Sequence, residues 1–264
     1  MTSTDEIRFT VEDGIGRLTL NRPQARNALT FAMYQGLIDT CARIEGEDDV
    51  KALIITGAGT QAFAAGTDIA QFRGFTSGQD AIDYERFMDR VMGALERLPV
   101  PTIAAIAGAC TGGGAAIAAA CDLRLATRDA RIGFPIARTL GNCLSLGNLR
   151  RLSALIGPAR VKDMIFTARL VGAEEAQAIG LVGEVVEDAD ALTARATALA
   201  TLVASHAPLT LRATKEGLRR LQDAEAEGES RPGDDLIRLC YTSADFREGM
   251  EAFLGKRPPV WTGR

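Results

Sequence analysis

Two glycine-rich turns carry the groups best placed for chemistry. One is Ala107-Gly108-Ala109-Cys110-Thr111-Gly112-Gly113-Gly114, which follows the apolar run Ile103–Ile106 and leads into an alanine-rich, helix-favouring segment. A strand that turns through glycines into a helix leaves first-turn N–H groups unpaired and aimed outward, where they favour anionic oxygen. Consecutive glycines also remove every Cβ that would block a ligand. The other turn, Ala62-Phe63-Ala64-Ala65-Gly66-Thr67-Asp68, lies about 45 residues earlier and also joins a predicted strand to a predicted helix start. Two such turns can aim two backbone N–H groups at one spot. That is what an oxyanion hole requires, because paired donors stabilise charge developing on a carbonyl oxygen. A phosphate cradle fits less well. Ala115-Ala116 stand where a P-loop needs Lys followed by Ser or Thr, and no G-x-G-x-x-G follows the strand. Close strand–helix packing would account for one glycine turn alone; it is the pair that favours the oxyanion reading.

The elements that must position these turns alternate between strand and helix, the pattern of an α/β fold. Ile7–Glu12 and Ile15–Leu20 read as two strands around Asp13-Gly14. Thr30 is placed to cap a helix over 31–45, and Val50–Thr56 reads as a buried strand closed by Gly57-Ala58-Gly59. Arg73–Gln79 reads as a loop. Residues 80–97 have helical spacing, with Ile82, Phe87, Val91, Leu95 and Leu98 near one stripe. Pro99 and Pro101 end that helix before a strand over 102–106. A helix to about Ala120 and a strand over 122–126 follow. From about 145 the chain reads as mostly helical, with helices over 191–205 and 208–222 and a solvated acidic loop over 223–235. We expect a core over residues 1–200 and a helical C-terminal region over 201–264.

Composition excludes several classes. The chain has 264 residues, 47% hydrophobic and 24% charged, enough to bury a sizeable core. A net charge of −4 with no dense basic cluster gives no nucleic-acid surface. Five scattered cysteines without CxxC spacing fit neither a disulfide framework nor a zinc site. The polar, acidic start and the lack of a long apolar run lead us to expect no signal peptide, no membrane span and a cytoplasmic setting.

Asn21-Arg22-Pro23…Asn27-Ala28-Leu29, then Ala62–Ile69, Ala107–Gly114, Gly157–Phe166, Ala173–Val182 and the terminal Glu248–Arg257 resemble, in order and spacing, the crotonase or enoyl-CoA hydratase/isomerase superfamily. The resemblance spans nearly the whole chain. It implies an α/β spiral of ββα units with a helical C-terminal region, assembled as homotrimers or dimers of trimers. It also implies an acyl-CoA substrate, with coenzyme A carried as part of the substrate, no permanently bound cofactor and no metal. The thioester carbonyl would be held by the N–H groups of Thr67 and Gly113. Coenzyme A contacts would fall to Arg22, Ala25, Arg26, Ala28, Ala65, Asp68 and Ile69. Ala70 stands where members often have Lys, which leaves Arg22, Arg26 and Arg73 as local cations for phosphates. Phe253 and Lys256 resemble tail residues that reach a neighbouring subunit's ligand.

The resemblance breaks at the proton-transfer groups. The hydratases of this family use two glutamates, and the matching positions here are Ala116 and Ile136, neither of which can move a proton. Other candidates are Glu85 and Asp89, four apart on the helix over 80–97, with Tyr84 beside them. A solvated helix face is the plain alternative for either carboxylate. In the segment 137–145, Arg138 could hold a substrate carboxylate, Asn142 a water, and Cys143 could act as nucleophile. Against these stand a surface arginine, a turn asparagine, a packed thiol, and Ser145 as a helix cap. For His206, the sole histidine, a helix-end or core role is expected, and for Asp68 a first-turn acid that favours the helix dipole. The leading reading is an enzyme that forms a thioester enolate, for isomerisation, atypical hydration or decarboxylation. Thioester hydrolysis and a non-catalytic coenzyme A-binding homologue are the alternatives.

Overall fold

The computed structural model describes residues 6–76, 78–227, 244–245, 248, 252 and 257–264. Its strands are β1 (Ile7–Glu12), β2 (Ile15–Leu20), β3 (Ala52–Gly57), β4 (Ala62–Ala64), β5 (Thr102–Ile106), β6 (Ala109–Thr111), β7 (Leu123–Thr127), β8 (Arg131–Gly133), β9 (Val171–Gly172) and β10 (Glu184–Val186). Its helices are α1 (Phe31–Gly46), α2 (Gly78–Arg97), α3 (Gly113–Ala120), α4 (Ile136–Thr139), α5 (Leu146–Ile156), α6 (Pro158–Phe166), α7 (Ala173–Ala178), α8 (Ala189–Ala204) and α9 (Pro208–Glu227).

Successive units β3–β4–α2, β5–β6–α3 and β7–β8–α4 repeat one arrangement. The first strand of each enters a six-stranded sheet, ordered β1-β2-β3-β5-β7-β10, and the second enters a four-stranded sheet, ordered β4-β6-β8-β9. Pairing is parallel except in the β1–β2 hairpin and between β8 and β9. The chain therefore winds as the α/β spiral of ββα units that the sequence resemblance implies.

Central strands buried on both faces read as unbroken apolar runs. Leu53 and Ile55 of β3, with Ala104 and Ile106 of β5, face the main core beneath α1, α2 and α3. Their neighbours Ala52, Ile54, Ile103 and Ala105 face the other way, onto Leu192, Ala196 and Ala200 of α8. The i, i+4, i+8 spacing of those three residues puts them on one helical stripe, and the two alanines let α8 approach the sheet closely. Thr30 caps α1 by accepting the Met33 N–H at 3.2 Å, and Ser145 caps α5 by accepting that of Asn148 at 3.2 Å.

Three sequence expectations need correction. Ile82, expected on the buried stripe of α2, is 48% exposed. The expected loop over 73–79 is short, because a 3-10 helix runs to Gly74 and α2 begins at Gly78. The acidic stretch from 223 continues α9 as far as Glu227, since its alanines and glutamates favour helix; its remainder lies outside the described residues. The described region after 145 is mostly helical, as expected, and also contains β9 and β10, too short to show a period.

One ion network locks α2 to α5. Arg151, 5% exposed at its side chain, approaches Glu96 with Nε at 2.5 Å and Nη2 at 2.8 Å, and Asn148 Oδ1 with Nη1 at 3.3 Å. Removing one partner of such a pair strands the other charge in a poorly hydrated site. Arg151→Leu is expected to lower unfolding stability by about 3 kcal/mol, read by chemical denaturation. A change inside about 0.5 kcal/mol, the scatter of ordinary surface substitutions, would contradict it.

Candidate active site

The two glycine turns meet because their strands pair. β4 lies parallel to β6, so the chain leaving β4 at Ala65 runs beside the chain leaving β6 at Gly112. Between them opens a cavity of about 170 Å³, walled by Ala65, Gly66, Thr67, Gly112, Gly113 and residues of α2 and the 134–148 segment. Gly112 enters α3 with φ +51°, in the region that favours glycine, and Gly66 has φ +104°.

Among the described residues, neither expected donor has an acceptor. Gly113 is the first residue of α3, where an N–H has no intrahelical partner, and Gly112 offers no side-chain cap. At the other turn the Leu29 N–H donates to Gly66 O at 2.8 Å and the Asp68 N–H to Leu29 O at 2.9 Å. This bridge uses the groups flanking Thr67 and leaves the Thr67 N–H without an acceptor among the described residues.

The loop 21–29 is held against this turn from inside. Asn27 is fully buried with φ +54°, and its amide donates to Ala58 O at 3.0 Å and Ala62 O at 2.7 Å. The Ala65 N–H donates to Arg26 O at 3.0 Å. Arg26 is thereby brought alongside Ala65, and Arg22 bridges Ala28 and Asp68. Arg22 is turned into the structure: its guanidinium meets Glu6 at 3.2 Å, Asp68 at 3.1 Å and Ala28 O at 2.6 Å. Arg26 and Arg73 stand exposed. Asp68 also accepts the Ala70 N–H at 3.1 Å, and this N–H and the Arg22 guanidinium hold its carboxyl below the usual range. It is an ionised helix cap and does not line the cavity. Phe253 and Lys256 lie outside the described residues.

The proton-transfer candidates separate. Glu85 lines the cavity and is the one carboxylate among its described lining residues. Burial pushes its carboxyl above the usual range, against the opposing effect of the Ser145 N–H. Asp89, one turn on, is instead taken by α5: Ser145 Oγ donates to it at 2.8 Å, and Arg151 lies 3.7 Å away. Asn142 lines the cavity, whereas Arg138 and Cys143 do not. His206 is exposed between α8 and α9. Ala116 and Ile136 form part of the cavity wall. Cys41, Cys110 and Cys121 are buried thiols whose burial pushes their pKa up, and none lines the cavity.

The sequence reading missed Tyr34 and treated Tyr84 only as a neighbour. Thr67 Oγ1 lies 2.8 Å from each of their hydroxyls. Tyr34 is fully buried on α1. The available signal was weak: a buried tyrosine must find a hydrogen-bond partner somewhere, but its sequence position does not say where. The Tyr84 ring is fixed edge-on against Phe72, with centroids 5.0 Å apart, and tilted against Phe31 at 5.8 Å.

Residues 10–264 match the family model described as enoyl-CoA hydratase/isomerase. The chain is 34% identical to the short-chain-enoyl-CoA hydratase of Clostridium acetobutylicum, over 93% of each protein. It is 33% identical to the crotonyl-CoA hydratase of Syntrophomonas wolfei, over 93% of this chain and 94% of that one. A crystal structure of an enoyl-CoA hydratase/carnithine racemase from Magnetospirillum magneticum superposes with a TM-score of 0.90 at 34% identity, covering 99% of this chain and 97% of that one. The fold and these matches define an α/β enzyme of acyl-CoA chemistry. The chain belongs to the enoyl-CoA hydratase/isomerase family.

Proposed function

We propose that this enzyme moves a proton on an acyl-CoA thioester through an enolate, with Glu85 as the proton-carrying base. The observation that carries this reading is the composition of the cavity wall: two N–H donors at Thr67 and Gly113, one carboxylate at Glu85, and Ala116 and Ile136 as apolar wall. The thioester oxygen accepts from the Thr67 and Gly113 N–H groups. Glu85 removes a proton from the carbon chain beside the carbonyl, and the electron pair moves onto the thioester oxygen. The donors hold that charge, each worth roughly 3–4 kcal/mol in comparable sites. Returning the same proton to the γ-carbon of an enoyl chain shifts the double bond. Atoms balance with one base and no added water, so double-bond isomerisation fits this wall better than hydration by two carboxylates. Arg26 and Arg73 are the exposed cations for the coenzyme A phosphates, and coenzyme A enters and leaves with the acyl group.

Incubating the enzyme with a panel of acyl-CoA esters in deuterated water tests the reading without knowledge of the natural substrate. Deuterium should enter the α-carbon of at least one thioester, as read by mass spectrometry. Folded protein that binds coenzyme A esters yet exchanges none of them would overturn the reading in favour of a non-catalytic binding protein. Release of free acid instead would point to thioester hydrolysis.

A further inference from the structure

Among the described residues, the buried part of the cavity wall carries one polar side chain. Gly66, Met88, Met92, Ala116, Phe134 and Ile136 form the rest of it, and Asn148 of α5, 5% exposed, interrupts them. Arg151 fixes which way the Asn148 amide faces. A guanidinium only donates, so the atom that meets its Nη1 at 3.3 Å is Oδ1, and the amide nitrogen is turned away from it. That nitrogen carries two N–H donors and has no acceptor among the described residues. A donor buried to this extent bears its desolvation cost unless the cavity's occupant supplies the acceptor. The contacts of Asn148 also place it along the cavity. Its backbone N–H is capped by Ser145, whose Oγ donates to Asp89, and Arg151 is paired with Glu96. Both α2 partners lie past Glu85, on the side of Met88 and Met92, whereas Thr67 is bonded to Tyr84 at the other end.

We propose that Asn148 determines specificity: its amide nitrogen donates to a neutral oxygen, hydroxyl or keto, carried on the acyl chain beyond the carbons that exchange protons. The inference rests on the reading of this cavity as the acyl-CoA site, with the thioester at Thr67 and Gly113. An acyl chain that starts from those donors passes Glu85 before it reaches Asn148. One donor at an otherwise apolar end fixes the orientation of a ligand. It also discriminates sharply, because a plain chain leaves the donor buried and unmet. A charged chain end fits this wall poorly. No lysine or arginine is among the described lining residues, and the Arg151 guanidinium is already met by Glu96 and, at 3.7 Å, by Asp89. A carboxylate would therefore enter the cavity unpaired and share it with Glu85. The acyl group that suits the site is oxygenated and uncharged.

The test uses sets of acyl-CoA esters that differ at one chain carbon beyond the γ-carbon: a plain methylene, a hydroxyl, a keto group or a carboxylate. α-Deuterium exchange gives kcat/KM for each, and displacement of a fluorescent coenzyme A ester gives its Kd. At one chain position or more, the wild type should favour the hydroxyl or keto ester over its plain counterpart by on the order of 10- to 100-fold, and the carboxylate should gain nothing. Asn148→Leu should abolish that preference. Asn148→Asp keeps an oxygen for Arg151 and, ionised beside it, has no donor. It should abolish the preference as well, and it serves if Asn148→Leu fails to fold. A wild type that treats plain and oxygenated chains alike at every position would overturn the proposal. So would a carboxylate preferred over both neutral oxygens, or a folded variant that keeps the preference. In each of those cases exchange itself leaves the enolate reading standing. Protein that exchanges no ester would overturn the enolate reading, and the Kd ratios, wild type against variant, would still decide the role of Asn148.

Discussion

Glu85→Gln is expected to slow α-proton exchange by on the order of 10²- to 10⁴-fold while leaving KM for the acyl-CoA nearly unchanged. The substitution keeps the shape of the side chain and its contact with the Ser145 N–H, and removes only the ability to accept a proton. The pH profile gives an independent check. A base must be ionised to act, and burial raises the Glu85 carboxyl above the ordinary glutamate value. As pH falls, the wild-type rate should therefore begin to drop at a higher pH than an unperturbed carboxylate would produce. The residual rate of Glu85→Gln should lack that acidic limb. Wild-type exchange in a folded Glu85→Gln protein would assign the proton transfer to another group.

The second large effect lies at Gly113. Gly113→Ala should lower stability by about 1–3 kcal/mol, as overpacking does, because the added methyl meets the Tyr34 hydroxyl head-on. Tyr34→Phe should restore most of that loss, since the next nearest Tyr34 atom, Cζ, lies 3.2 Å from the same methyl position. A double-mutant cycle by thermal or chemical denaturation measures the coupling, and additive effects would contradict the predicted collision. The same background isolates the donor. Gly113→Pro made together with Tyr34→Phe removes the N–H at a first helical position where proline is tolerated. Exchange should fall by on the order of 10²- to 10³-fold relative to Tyr34→Phe alone. Equal exchange in the two proteins would remove Gly113 from the oxyanion hole.

Much of the fold was legible because its signals are local. The Asp13-Gly14 turn, with φ of +51° and +77°, sits between two strands in register from Ile7–Leu20 to Glu12–Ile15. Thr30 and Ser145 cap the helices their hydroxyls were placed to cap. The run through β5 is apolar at every position but its first because both of its faces are covered, and it is visible as such without knowledge of what covers it. The four-stranded sheet was not legible. β4, β6 and β8 have three residues each, too few for a period of two to stand out. What defines them is pairing with one another across the chain.

The site divides along the same line. The sequence by itself determined the two glycine turns, the family they resemble, and the presence of Ala116 and Ile136 in place of ionisable residues. Backbone freedom and side-chain chemistry are properties of a residue type, and they are written in the residue itself. Tertiary structure decided which carboxylate faces the cavity. Glu85 and Asp89 are one turn apart on α2, and nothing local separates them. The packing of α2 against α5 turns Asp89 towards Ser145 and Arg151 and leaves Glu85 on the cavity wall. It also decided that Tyr34 of α1 would reach Thr67 and crowd Gly113. Those contacts join segments far apart in the chain, so they exist only once the strands that carry the two turns have paired.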